Sequence, residues 1–581
     1  YGLLGVWSGA EVGVQVPSQF WRDVRDHWTK YQMKDGEWCY RASGNDPSRS
    51  MTLAGIASLF VAQDYLDAED FGDRVGRPPF SPALESALKW LETGDNSVIA
   101  LPPSADFYTY YALYGLERTG LASGFKYYGS QDWYRSCAAE LVAAQGADGS
   151  WGTASAPFDA IVNTSYALLL LARGRHPVLM NKLRFPGDWA NRPRDVANLA
   201  RFASSELERP LNWQVVPVDH PWLDWTDSPI LYMASDNAPD LGAGDRQKIK
   251  QYIENGGMLL TQADAGRAEF SEYVEKLGKE LFPQYPWTDL PADSVVFSVS
   301  YHLTDHPKIR VISNGSRILM MHWPDDLTRY WQLREDRIGR SSFELGVNLG
   351  LYAAGKSELK NRLATDFIAM PPGRGAAAIQ VARLHYDGNW DPEPAAWGRA
   401  SRWFRQQTDY DLNVEPTDPA HLAESNPPIA HLVGTGKLNL SDAQAQSIRK
   451  YVENGGVLLI EPCGTPDAFL RSVHDDFLIR TFPSIRIEPV SDSHPMLSQS
   501  GNGMIDVSHV EARQFVRSYT DISDMRPMMA TVGAGHIIIL PLDMTSGLLG
   551  TDAWGIAGYQ SEYAMELMKN IVLWAWDGAK D

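Results

Sequence analysis

Polar and aromatic side chains follow the predicted strands in the last third of the chain. In an open parallel sheet, ligands bind outside the carboxyl ends of the strands, where the strand order reverses. The residues that directly follow these strands are Tyr386, Asn389, Trp390, Glu461, Cys463 and Asp543. Aromatic rings stack on flat or sugar-like groups, and carboxylates accept hydrogen bonds. We therefore predict a small-molecule or glycan-like ligand at this edge, held by Tyr386, Asn389, Trp390, Glu461 and Asp543.

Two histidines stand beside pairs of aspartates, in His322-Trp-Pro-Asp-Asp326 and His474-Asp-Asp476. A metal site would need further ligands from other strands, so both segments are predicted to be turns or helix starts rather than metal sites. The three cysteines lie far apart and form no CxxC pattern, which excludes a disulfide framework. We predict neither a metal nor a cofactor.

The elements that position these residues belong to a duplicated segment. Tyr252-Ile-Glu-Asn-Gly-Gly-Met-Leu-Leu260 returns as Tyr451-Val-Glu-Asn-Gly-Gly-Val-Leu-Leu459. In both halves, short runs of Ile, Val and Leu alternate with amphipathic helices, which indicates a mostly parallel sheet covered on both faces. Asn and Gly at a helix end accept the left-handed conformation that stops the helix. We predict two doubly wound α/β domains, residues 190–358 and 374–581.

The first 185 residues carry an earlier repeat and are predicted to form about seven antiparallel helices. Gln32-Met-Lys-Asp-Gly-Glu-Trp38 returns as Gln145-Gly-Ala-Asp-Gly-Ser-Trp151. Each Asp-Gly predicts a tight turn, while the glutamine can bond exposed backbone groups and the tryptophan can cover the junction. The motif therefore predicts a staple between helices.

This motif resembles the QW motif of the squalene-cyclase and prenyltransferase superfamily. The resemblance implies an α/α toroid, here partial because seven helices do not close the ring. It also implies either missing upstream helices, or a protein partner or second copy that covers the open helical region. The cyclases' catalytic acids are matched only by Asp67-Ala-Glu-Asp70, which we interpret as a solvated loop.

The duplicated domain resembles the class I glutamine amidotransferases, which implies a flavodoxin-like fold. In that family a nucleophilic cysteine follows the strand that Gly-Gly introduces, and a His-x-Glu sequence supplies the base. The matching residues are Cys463, His509 and Glu511. Pro462 removes a backbone donor, and Glu461 would raise the pKa of the thiol.

The whole chain resembles a bacterial family of unknown function that joins a squalene-cyclase-like helical region to amidotransferase-like domains. Residues 191–201, 211–216 and 384–390 carry this resemblance, which implies a setting in the cell envelope or periplasm. The net charge of −20 argues against a nucleic-acid partner, since phosphates need a basic surface. No apolar run is long enough for a transmembrane segment.

We therefore predict a non-catalytic scaffold, or a ligand- or partner-binding protein, built from degenerate enzyme-like domains. The alternative is an enzyme, either a Cys463-dependent amidohydrolase or a helical cavity that handles isoprenoids. Incomplete catalytic sets in all three units favour the first hypothesis.

Overall fold

The computed structural model describes residues 1–102, 105, 107–152, 157–357, 359–364, 367–498, 503–522 and 525–578. It contains a helical region, residues 1–174, and two α/β domains. We call these domains the first copy, residues 178–354, and the second copy, residues 377–578. No described helix is long and apolar enough to cross a lipid bilayer.

The described part of the helical region contains seven helices, as the sequence predicts. Successive members of the series α2, α3, α5 and α7 pack against one another, and a short hairpin precedes α6. The bounds are α1 Gly2–Glu11, α2 Ser18–Lys30, α3 Arg49–Phe71, α4 Pro82–Leu91, α5 Phe107–Ser123, β1 Tyr127–Tyr128, β2 Gln131–Asp132, α6 Trp133–Ala144 and α7 Pro157–Gly174.

Both predicted staples are present, with the same geometry. The Gln32 amide donates to the Gly36 carbonyl at 3.1 Å, and the buried Trp38 indole donates to the carbonyl of Trp28 at 2.8 Å. In the second staple, Gln145 bonds Gly149 at 3.0 Å, and Trp151 donates to Leu141 at 2.8 Å. Each tryptophan thus bonds a residue ten positions upstream, which fixes the turn to the preceding helix.

The solvated loop predicted for Asp67-Ala-Glu-Asp70 is wrong. These residues form the last turns of α3, and Asp67 is buried against Arg77, whose Nη2 lies 2.5 Å from its carboxylate. The Gln332 amide of the first copy also donates to Asp67. The local sequence around Asp67 could not show this burial, because Gln332 lies 265 residues further along the chain.

The described residues of each copy form a seven-stranded sheet, and the two sheets have the same strand order. The order is β4-β3-β5-β6-β9-β8-β7 in the first copy and β11-β10-β12-β13-β16-β15-β14 in the second. The five strands on one side are parallel, and the last two pair antiparallel. The bounds are β3 Val178–Arg184, β4 Asn212–Pro217, β5 Ile230–Ser235, β6 Met258–Ala263, β7 Thr288–Asp289, β8 Arg310–Ser313, β9 Ile318–Trp323, β10 Ala377–Leu384, β11 Tyr410–Thr417, β12 Ile429–Gly434, β13 Val457–Pro462, β14 Glu488–Pro489, β15 Met528–Val532 and β16 Gly535–Ile539.

Helices alternate with the parallel strands, as the βαβ pattern predicts. A π-helical turn, Val473–Leu478, joins α16 to α17. The bounds are α8 Asp195–Glu206, α9 Ala243–Glu254, α10 Ala268–Leu281, α11 Arg329–Leu333, α12 Arg340–Ala353, α13 Ala396–Gln407, α14 Leu422–Ser425, α15 Asp442–Glu453, α16 Asp467–Ser472, α17 Ile479–Thr481, α18 Gln514–Arg517, α19 Thr545–Leu549 and α20 Ser561–Gly578.

The first sheet begins earlier than the boundary predicted between residues 185 and 190. Strand β3 starts at Val178 and lies between β4 and β5. Its polar residues Asn181 and Lys182 interrupt the apolar run, so the sequence pattern does not mark a strand there. Both side chains are nevertheless buried, because each is hydrogen-bonded inside the domain. Asn181 donates to the Trp225 carbonyl, and Lys182 donates to the Arg192 carbonyl.

The Gly-Gly joint between helix and strand is confirmed in both copies. Gly256 and Gly455 have φ values of 104° and 106°, which glycine adopts without strain. A Cβ on the next residue, Gly257, would lie 2.3 Å from the Tyr252 ring. A Cβ on Gly456 would lie at the same distance from the Tyr451 ring. The tyrosine therefore requires the second glycine of the motif.

The packing of the closing helices also repeats. Asn348 on α12 donates to the carbonyls of Val296 and Tyr301, both at 2.9 Å. Asn570 on α20 donates to Met496 at 3.0 Å and to Ile505 at 2.7 Å. A buried asparagine thus holds the same irregular segment in each copy, which supports the predicted duplication.

Apolar side chains cover both faces of each sheet. One face of the first sheet shares a continuous core with the helical region, since Leu113 and Trp133 belong to the same buried cluster as Leu199 and Trp331. The other face and the second sheet have their own cores. The helical region and the first copy are therefore packed as one hydrophobic unit.

Candidate functional site

The carboxyl edge of the second sheet holds the polar residues that the sequence places there. Glu461, near the end of β13, is completely buried. Its Oε1 accepts hydrogen bonds from His431 Nε2 at 2.8 Å and from the Thr545 hydroxyl at 2.6 Å. Its Oε2 accepts from the backbone N–H groups of Met544 and Thr545. The carboxylate therefore ties β12, β13 and the start of α19 together.

The hydrogen-bond partners of His431 determine which of its ring nitrogens carries the proton. The Trp397 indole can only donate, and its Nε1 lies 3.1 Å from His431 Nδ1, so Nδ1 accepts. The neutral ring therefore carries its hydrogen on Nε2 and donates it to Glu461. Both ring nitrogens are occupied inside the protein.

Asp543, just beyond β16, is the second buried carboxyl group of this edge. Its Oδ1 accepts from the Ser546 N–H at 2.8 Å, and its Oδ2 accepts from Gly464 N–H at 2.7 Å and the Ser546 hydroxyl at 2.6 Å. Burial, assisted by the nearby charge of Glu461, raises the pKa of Asp543 to about 6. The group joins the turn after β13 to α19.

Cys463 lies on that turn and is completely buried. Its Sγ is 3.7 Å from the Ser546 hydroxyl. Burial raises the pKa of the thiol well above its ordinary value, and the carboxyl groups of Asp543, Glu393 and Glu461 raise it further. The thiol is therefore protonated at neutral pH, which opposes nucleophilic attack.

The structure does not bring Cys463, His509 and Glu511 together. His509 and Glu511 are exposed, and the polar contact of the imidazole is with Ser508, at 3.3 Å. Among the described residues no hydrogen bond joins either side chain to Cys463. The cysteine lies beneath the first copy, whereas the His-Val-Glu segment lies at the surface.

Three further residues predicted at this edge follow β10, the first strand of the second copy. Tyr386 is buried and donates to the Val433 carbonyl at 3.1 Å. Asn389 donates to Thr435 Oγ1 at 2.7 Å. Trp390 is half-buried, with its ring centroid 4.5 Å from that of His385. Contacts within the protein thus account for the placement of each residue.

A turn of the first copy, residues 314–317, covers this edge, and we call it the covering turn. The Asn314 carbonyl accepts from the Asn389 amide at 2.7 Å, and Ser316 Oγ lies 3.1 Å from Ser546 Oγ. Arg317 Nε and Nη2 bond the two carboxylate oxygens of Glu393 at 2.7 and 3.0 Å. Both partners of this ion pair are buried. Direct polar contacts therefore join the first copy to this edge of the second sheet.

The first copy carries a charged cluster at its own carboxyl edge. Lys182 Nζ bonds Asp195 Oδ1 at 2.7 Å, and both groups are completely or almost completely buried. The Tyr232 hydroxyl donates to the other oxygen of Asp195 at 3.0 Å. Burial raises the pKa of the neighbouring Asp264 to about 7. No sequence motif predicts this cluster, because Lys182, Asp195, Tyr232 and Asp264 come from four separate elements of the chain.

The helical region covers the edge of the first copy. Asn191 accepts a hydrogen bond from the Gly76 N–H at 2.8 Å, and Arg192 Nη1 donates to the Asp73 carbonyl at 2.7 Å. Arg192 also pairs with Asp326, which follows β9 as Asp543 follows β16. Each α/β domain is thus covered by the unit that precedes it in the chain.

Arg513 is a further residue that sequence reasoning missed. It is 8% exposed, and its Nε donates to the Tyr559 carbonyl at 3.1 Å. Among the described residues, its two terminal nitrogens have no hydrogen-bond partner. The sequence around Arg513 does not indicate that it is buried, because the carbonyl that it bonds, that of Tyr559, lies 46 residues further along the chain.

Metal-ligating side chains do not cluster in the described part of the chain. No group of three or more His, Cys, Asp or Glu side chains there is arranged to hold a metal ion. His322 bonds the hydroxyls of Thr261 and Ser271, each at 2.9 Å. His474 is exposed and lies beside Asp475.

These features define a class of protein with a helical region and two copies of one α/β domain, each copy having its carboxyl edge covered. The sequence profile of one family, described as a domain of unknown function (DUF4159), matches residues 179–354 and again residues 380–576. The chain therefore belongs to this family, and it contains the domain twice. Among curated proteins, none matches the chain.

Proposed function

We propose that this protein is a non-catalytic scaffold and binding protein built from two degenerate enzyme-like domains. The covering of the second copy by the first is the observation that carries the proposal. Glu461 and Asp543 direct their oxygens to groups of the protein, and the covering turn contacts Ser546 directly. Carboxyl and hydroxyl groups, which act in catalysis in many enzymes, here bond other groups of the protein and join the domains.

The strand order supports a flavodoxin-like, amidotransferase-like ancestry for both copies. Counted among themselves, the five parallel strands of each sheet follow the order 2-1-3-4-5 of flavodoxin-like domains. The paired staples support a relationship of the helical region to α/α toroids. Both assignments are part of the proposal.

A protein partner or a second copy of the chain covers the helical region in this proposal. Large apolar side chains are exposed on α6 and α7, where Val142 and Ile161 are each 68% exposed and Leu168 is 54% exposed. Helices α6 and α7 contact each other, and exposed apolar surface is typical of association sites. A ligand at the second sheet edge, held by the predicted residues, stays a prediction.

The reactivity of Cys463 tests the non-catalytic role. In a variant with Cys39→Ser and Cys137→Ser, Cys463 is the single thiol. We expect iodoacetamide at pH 7 to modify it about 100-fold more slowly than the same thiol in urea, because a buried protonated thiol reacts only when the site opens.

The matched control keeps Cys39, which is half-buried, as the single thiol. It is expected to react in the folded protein without urea. Rapid modification of Cys463 in the folded chain, with a rate that titrates below neutral pH, would contradict the proposal and favour the amidohydrolase alternative.

A further inference from the structure

A cleft of about 550 Å³ lies beside the carboxyl edge of the second copy. Its wall is formed by the segment that leads into α18, by the loop before α20 and by the chain that follows α12. This volume falls in the range of roughly 300–1,000 Å³ that is usual for small-molecule sites. The covering turn does not line it.

Arg513 lines this cleft and is fixed in place by the backbone. Its N–H donates to the Gly558 carbonyl at 2.9 Å, and its Nε donates to the Tyr559 carbonyl at 3.1 Å. A Cβ on Gly558 would lie 3.1 Å from that Nε, so the glycine permits the close approach. The orientation of the guanidinium is therefore determined before any ligand arrives.

The two terminal nitrogens of Arg513 are buried and unsatisfied. Neither has a hydrogen-bond partner among the described residues, although the residue is only 8% exposed. A buried guanidinium without partners is unfavourable, and its two parallel N–H groups match the two oxygens of a carboxylate or phosphate group. Asp543 attracts Arg513 from inside the domain, but neither terminal nitrogen of Arg513 bonds it.

Aromatic rings form another part of the wall. The rings of Phe515 and Trp554 meet edge to face, with their centroids 5.2 Å apart. Lys356 Nζ lies 5.4 Å from the centroid of the Trp554 ring. The cleft also has acidic groups, since Asp552 and Glu562 line it, and a second guanidinium from Arg517. A flat apolar group can therefore pack beside the arginine.

We propose that this cleft binds a small anionic ligand, whose carboxylate or phosphate group is held by Arg513 and whose flat apolar part packs against Trp554 and Phe515. The proposal rests on the binding role given above and specifies the class of ligand. The negative charge of such a ligand complements the guanidinium group of Arg513, which lines the cleft and whose terminal nitrogens have no hydrogen-bond partner among the described residues.

Titration calorimetry on the full chain tests the proposal with phenyl phosphate, benzoate and inorganic phosphate as probes. We expect one site for phenyl phosphate, with weaker binding of inorganic phosphate. Arg513→Gln is expected to lower the affinity for phenyl phosphate at least ~10-fold, and Arg513→Lys less, because lysine keeps the charge but loses the bidentate geometry. Trp554→Leu should weaken phenyl phosphate but leave inorganic phosphate unchanged.

The control variant is Arg41→Gln, which removes an exposed arginine of the helical region. Circular dichroism and the thermal midpoint establish that each variant is folded, and Arg513→Lys serves as the test if Arg513→Gln does not fold. Absence of binding by all three probes, or equal binding by folded Arg513 variants, would overturn the proposal. A reactive Cys463 would instead overturn the non-catalytic role and leave the anion site unaffected.

Discussion

At the scale of single residues, matching strand positions in the two copies carry different polar groups. The third residue of β5 is Tyr232, whereas that of β12 is His431; the fifth residue of β6 is Gln262, whereas that of β13 is Glu461. Each of these side chains is nevertheless buried and hydrogen-bonded. A buried layer of hydrogen-bonded polar side chains is thus common to both copies, while the chemistry of its members is not.

Glu117 in the helical region offers a residue-level test of electrostatics. It is completely buried, its oxygens accept no hydrogen bond from the described residues, and Arg173 Nε lies 3.5 Å away. Burial raises the pKa of Glu117 from 4.5 to about 7. The folded protein therefore holds the proton more tightly than the unfolded chain, so stability from this group falls as the pH rises from about 4.5 to 7.

We expect Glu117→Gln to abolish this part of the pH dependence. Each pKa unit corresponds to ~1.4 kcal/mol, so the free energy of unfolding of the variant should exceed that of the wild type by up to about 3 kcal/mol at pH 8 and by much less at pH 4.5. Urea unfolding at both pH values measures the difference. The exposed Glu85→Gln is the control, and an equal effect of both substitutions would contradict the assignment.

At the scale of elements, the turn after β13 and the covering turn interlock. A Cβ on Gly464 would lie 2.7 Å from the Ser316 Cα and 2.9 Å from the Gly315 carbonyl oxygen. Gly464 also has a φ of 82°, which other residues rarely adopt. Replacement of this glycine therefore has two costs, one in the backbone and one in the contact between domains.

We expect Gly464→Ala to separate the two turns and lower the free energy of unfolding by about 2–4 kcal/mol, since both overpacking and positive φ destabilise. Gly373→Ala is the matched control, because Gly373 has a φ of 81° and no atom within 4 Å of its Cβ position. The difference between the two variants in urea unfolding isolates the contact. Equal losses would mean that the turns do not interlock in solution.

Local patterns of residues determine which elements were predictable. The Asp-Gly turns, the staples and the Gly-Gly joints involve residues about ten positions apart or fewer, so their geometry follows from the sequence. The covering turn, by contrast, depends on contacts such as that between Ser316 and Ser546, 230 residues apart. Strand-edge residues were thus located correctly, whereas what covers them could not be inferred from either copy alone.

At the scale of the whole molecule, buried ion pairs join the units. Arg317 of the covering turn also donates to the carbonyls of Gly257 and Ile253, at 2.8 and 2.7 Å, while its guanidinium pairs with Glu393 of the second copy. Removing one partner of a buried pair leaves the other charge without compensation. The stability of the contact between copies therefore depends on both residues.

We expect Arg317→Ala to lower the free energy of unfolding by about 3–5 kcal/mol and to separate the unfolding of the copies, whereas the double variant Arg317→Met with Glu393→Leu recovers most of the loss. Urea unfolding followed by tryptophan fluorescence measures both effects. Arg340→Ala is the control, since Arg340 is 49% exposed, pairs with Glu344 and Glu206 of the same copy and should cost under ~1 kcal/mol. A loss no larger than that of the control would contradict the role of the buried pair.

The direction in which the units cover one another has a consequence for synthesis. The ribosome releases the helical region before the first copy and the first copy before the second, and domains generally fold as units in that order. Because the helical region and the first copy share one core, they form their packed state together, and the covering turn is complete before the second copy emerges. The second copy can therefore dock on a folded surface, where Glu393 meets Arg317 as soon as it is synthesised.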